Sequence, residues 1–116
     1  MKIYLFLFAL LVLSNMSYAQ DPLNYKLYRL EVMNNATEYI TESNSINLKM
    51  VADGGGMRLS SGIEYYIIEP SGDSGFSARD SNGEYCVIVL FTEEDENKLM
   101  IIYRDYSFIY SYYSLD

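Results

Sequence analysis

At 116 residues, with eight lysines and arginines against sixteen acids and no histidine, the chain is long enough for one domain and is strongly acidic. That balance disfavours nucleic acid and anionic membrane surfaces as partners. Without histidine, Ser-His-Asp and Cys-His catalysis, the common zinc sets and haem ligation by histidine are excluded.

The chain opens on an address. Met1 and Lys2 give a positive start, Ile3 to Leu13 run apolar without a charge, and Ser17-Tyr18-Ala19 supplies small residues before a cut between Ala19 and Gln20. An apolar run of about eleven residues is too short for a permanent span, which needs roughly 20. The expectation is a cleaved secretory signal over 1–19, a single domain over 20–116, and a released product, secreted or periplasmic, with no stable membrane anchor. Removing the signal leaves seven bases against sixteen acids, a net charge of −9. Cys86 is the only cysteine. It lies far from the cut, so it is no lipid anchor, and an exported domain with no internal disulfide suits a bacterial setting better than an animal secretion.

From Gln20 onward the apolar residues alternate. Asp21-Pro22 is a helix-start signal, and Leu23, Leu27 and Leu30 fall at helical spacing. Against it, Tyr28, Leu30 and Val32 alternate with Arg29 and Glu31, and Asn34-Asn35 reads as a turn into a returning strand. The hairpin is the preferred reading, with a short helical turn before it reconciling both signals. Asn35-Ala36-Thr37 is also a glycosylation sequon by pattern, without meaning in a bacterium.

Ile46, Leu48 and Met50 alternate with Asn47 and Lys49, the mark of a strand with one wet face. Gly54-Gly55-Gly56 lacks the residues of a phosphate loop and reads as a strand connection. Ile63 to Glu69 forms the next strand, closed by Pro70. Gly72-Asp73-Ser74-Gly75 spells the tetrapeptide around the nucleophile of trypsin-like proteases, but with no base to serve it the segment reads as a turn.

Asn82-Gly83 is a tight-turn pair, both of whose central residues need positive φ. It joins a strand near Phe76 to Asp80 to an apolar one near Glu84 to Phe91. In the latter, Tyr85, Val87, Val89 and Phe91 take one face and Cys86, Ile88 and Leu90 the other, so a central strand covered on both sides is expected. Thr92 to Asn97 is a solvated acidic hairpin loop rather than a calcium loop, whose spacing it lacks. Lys98 to Arg104 resumes the pattern. Ser107 to Tyr113 closes it with Phe108, Tyr110 and Tyr112 on one face.

The fold class is all-β, a single antiparallel meander of seven to nine short strands, as a small barrel or a two-sheet sandwich. The meander is similar in architecture alone to lipocalin-type barrels, whose Trp-bearing motif this chain lacks. No catalytic residue, metal ligand or cofactor is assigned. Glu64 and Glu69 are the least poor carboxylates for a hydrolase, the most distant reading. Tyrosine is the compositional excess, with thirteen and no tryptophan. Tyr106, Tyr110, Tyr112 and Tyr113, with Tyr65 and Tyr66, are the candidate binding patch, unless the Phe108-Tyr110-Tyr112 face is core. The leading expectation is an exported, non-enzymatic binding module for a protein, a glycan or a small apolar ligand. The alternatives are a lipocalin-like ligand carrier and an envelope-associated structural protein.

Overall fold

The computed structural model describes residues 23–53, 55–70 and 75–116. The expected signal, its cut site, Asp21-Pro22 and residues 71–74 lie outside them. Eight strands follow in order: β1 (Leu23–Asn34), β2 (Ile40–Asp53), β3 (Gly56–Leu59), β4 (Glu64–Pro70), β5 (Gly75–Asp80), β6 (Tyr85–Glu93), β7 (Glu96–Ile102) and β8 (Tyr106–Ser114). Each pairs antiparallel with the next, and β8 returns to β1, so the meander closes as a barrel. Of the two architectures the sequence left open, the barrel is the one formed.

An eight-stranded barrel has an interior just wide enough for side chains to fill. Here they fill it. Leu27, Met50, Tyr65, Ile88, Leu99 and Ile101 point inward and are at most 1% exposed, each contributing about 1.5–3 kcal/mol by burial. Along the inside of β8, Phe108, Tyr110 and Tyr112 join the same core. Tyr112 meets Tyr25 edge-on at 5.5 Å, and Phe108 meets Tyr106 at 5.2 Å. Cys86 lies at 0% exposure in this core, and burial pushes its thiol up to about 11.

The helical spacing at the start of the domain has a β explanation. Leu27 faces Tyr112 and Arg29 faces Ser111, so Tyr28 is an extra residue on β1. That bulge leaves a three-residue step between the core contacts of Leu27 and Leu30. Two strand neighbours and a core face then decide for the strand.

The two tight turns exchange their expected chemistry. At Asn82-Gly83 only Gly83 has positive φ, at 86°. The turn is a longer one, in which the Asp80 carboxylate accepts the N–H groups of Asn82 and Glu84 at 2.9 and 3.0 Å. Positive φ at both central residues occurs instead at Glu94 and Asp95, 52° and 64°. Glu93 pairs with Glu96 across them, so the acidic loop expected over 92–97 contracts to two residues.

The wall is uneven in height. β3 has only four residues and pairs β2 solely at Met50 to Asp53. Among the described residues, Ile40 to Leu48 therefore has β1 on one side and no strand on the other. At the foot of this low wall Gly56 crosses β4 so closely that a Cβ there would lie 1.9 Å from the Tyr65 carbonyl oxygen. Only glycine fits.

Candidate functional site on the outer wall

The six tyrosines named from the sequence are split by the pleat. Tyr65, Tyr110 and Tyr112 line the interior, whereas Tyr66, Tyr106 and Tyr113 are 41–52% exposed. The exposed three do not share one patch. Tyr106 opens β8 and Tyr113 nearly ends it, roughly 23 Å apart at strand rise. Tyr66, on β4, donates a hydrogen bond to Glu64. The side chain of Glu69, the other carboxylate named for a hydrolase, lies outside the described residues.

At the end of the barrel where β7 turns into β8, Tyr106 stacks on Tyr103 at 5.3 Å. Tyr103 donates its hydroxyl to Asp80 at 2.8 Å. Burial works to raise the Asp80 pKa, but the Tyr103 hydroxyl and the turn's backbone N–H groups outweigh it and hold the carboxyl below its usual value. Burial, and then the bond to Asp80, push the Tyr103 phenol far up. Asn35, the sequon residue, clips this end shut. Its amide donates to the carbonyls of Tyr103 and Arg104 at 2.7 and 3.3 Å and accepts from Ser107 at 2.7 Å. The Tyr65 hydroxyl is buried beside this cluster and meets no partner at hydrogen-bonding geometry. The Tyr103 hydroxyl lies near enough to temper the rise that burial imposes on the Tyr65 phenol.

The other feature is on the outside. β6 is apolar on both faces, but only the Cys86-Ile88-Leu90 face is buried; Val87, Val89 and Phe91 lie half-buried on the exterior. The expected cover is absent among the described residues, because closing the barrel leaves each strand one interior and one exterior face. The exterior apolar residues continue across the wall. Val87 pairs with Ile102 and Val89 with Met100, Met100 pairs with Ile109, and Met33 pairs with Ile40.

Part of this band sinks into a cleft of about 520 Å³ spanning β1, β2, β6, β7 and β8. Its floor is Met33, Ile40, Phe91, Met100 and Ile109, and its walls carry Glu31, Glu93, Glu94 and Glu96 with Arg29 and Lys98. Both bases are already committed. Arg29 donates to Glu96 at 2.6 Å and to the buried Ser111 hydroxyl at 3.0 Å. Lys98, largely buried, lies 3.4 Å from Glu31 and 3.7 Å from Glu93. Tyr28 donates to the second oxygen of Glu96 at 2.5 Å. The bonds from Tyr28 and then Arg29 hold the Glu96 carboxyl below its ordinary value. Four acids against two paired bases leave the cleft negative above an apolar floor.

No family model, curated protein or solved structure matches the chain. The site therefore stands on its own geometry. Sequence reasoning missed Met33, Phe91 and Met100 as surface residues. The signal was present in the double-faced β6, which was read as coverage by a second layer rather than as an exposed wall.

Proposed function

We propose that the protein is an exported, non-enzymatic binding module that holds a polypeptide partner against the outer wall of its barrel. The observation that carries this reading is the pairing of a packed interior with an apolar cleft on the exterior that no described residue covers. A barrel that carries a small molecule needs space within, and here tyrosines, leucines and isoleucines occupy it. Apolar surface left in water is worth about 25 cal/mol per Å² to a partner that covers it.

The charge pattern narrows the partner. A net negative cleft over Met33, Phe91 and Met100 suits a cationic, amphipathic segment, with the apolar floor supplying affinity and the acids supplying orientation and on-rate. Export is carried by the sequence of residues 1–19 and accords with folding without a disulfide.

The test is a side-by-side capture from medium and periplasmic extract by the wild type and a Phe91→Lys/Met100→Lys variant. Support is a stoichiometric polypeptide held by the wild type, released by high salt and missing from the variant. Equal recovery by both proteins, or recovery of no polypeptide, overturns the reading.

A further inference from the structure

Among the described residues, the low wall leaves a stretch of β2 backbone with no strand beside it. Lys49 turns its C=O and N–H to the β3 side, accepting from the Ser60 N–H at 2.8 Å and donating to the Ser60 hydroxyl at 3.0 Å. Backbone groups alternate sides along a strand. Asn47, Ser45 and Ser43 therefore turn theirs to the same side as Lys49, beyond the point where β3 has ended at Leu59. Each residue brings one donor and one acceptor, and all three residues are exposed.

Natural edges of this kind are usually blunted by lysine, proline or an inward-pointing charge. Between Ile40 and Leu48 there is no lysine and no proline, and the single charge is Glu42. The edge is also self-complementary. In an antiparallel pair with a second copy, a two-fold axis at Ser45 sets Ser45 opposite Ser45 and Ser43 opposite Asn47, so every open group of the three residues finds a partner. The intervening positions set Asn44 opposite Ile46 and Glu42 opposite Leu48. No acid faces an acid along the seam, although the whole chain carries a net charge of −8.

We infer that the Ser43–Asn47 edge of β2 is a homodimerisation site, at which two copies join by antiparallel strand addition about an axis at Ser45. The edge meets the outer-wall cleft at Ser43, but its backbone pairing does not draw on the cleft's apolar floor or its acids. The two negatively charged bodies repel at long range, so association tightens as salt shortens the screening length, about 10 Å at 0.1 M.

The experiment is sedimentation velocity on the protein as it accumulates on expression, over a wide concentration range and at low and high salt. Wild type is expected to be a monomer–dimer equilibrium favoured by salt. Ser45→Pro removes a donor on the side of β2 that faces no described strand, and is expected to be monomeric with unchanged far-UV circular dichroism. Ser45→Lys and Ser45→Glu each set like charges face to face at the axis and are expected to be monomeric alone and to dimerise when mixed. A wild type that stays monomeric throughout overturns the inference, as does a dimer that survives Ser45→Pro or a Lys/Glu mixture that fails to reassociate.

Discussion

The wall built from β6, β7, β8 and β1 and the wall built from β2, β3 and β4 solve the same closure problem with opposite results. In the first, every strand is paired along both edges, and what remains unsatisfied is a face: Val87, Val89, Phe91 and Met100 look outward, half-buried, with no second layer over them among the described residues. In the second, the four residues of β3 cannot match the fourteen of β2, and what remains is an edge. A face recruits partners through side chains and an edge through backbone, so the two sides of one barrel are suited to different associations.

The comparison breaks first in the core that both walls share. Leu99→Ala empties an inward position of β7 and is expected to cost about 2–5 kcal/mol in denaturant unfolding. Met100→Lys, one residue along and facing outward, is expected to cost less than about 1 kcal/mol. Equal losses at the two positions contradict the assignment of faces. On the low wall, Gly56→Ala drives a methyl into the Tyr65 carbonyl and is expected to lose about 3 kcal/mol, the upper range for overpacking.

A smaller effect comes from the end of the barrel. Asp80 has a depressed pKa in the folded state, so its stabilisation is complete above the unfolded value of about 3.9 and is lost as pH falls through the lower folded value. Tyr103→Phe removes the side-chain bond that helps depress it. The variant is expected to lose about 1–2 kcal/mol near neutrality and to show its acid transition at higher pH than the wild type. The smallest change is a gain. Asp95→Gly relieves a left-handed residue and is expected to stabilise the β6–β7 hairpin by about 1 kcal/mol, read as a raised thermal midpoint.

The fold class and most strand positions were legible because alternation survives in single strands, as at Ile46, Leu48 and Met50. Barrel closure was not, because the pairing of β1 with β8 joins Tyr25 to Ser114, residues from opposite ends of the domain. The turn chemistry was misplaced for a related reason. Asn-Gly favours positive φ at both positions, yet the Asp80 side chain captured that loop, while the β6–β7 register forced Glu94 and Asp95 into the tighter turn. The tyrosines were half legible. Their spacing on β8 identified one face, but which face is core depends on which way the sheet curls. The outer cleft drew on five strands, and no local pattern brings Met33 to Phe91.

The filled interior is tested most directly by native mass spectrometry of the protein freshly recovered from its expressing cells or medium. A filled barrel gives the mass of the polypeptide alone or in polypeptide assemblies, with no small molecule retained in stoichiometric amount. A stoichiometric small molecule that is released only when the barrel unfolds contradicts it and moves the binding site from the outer wall to the inside.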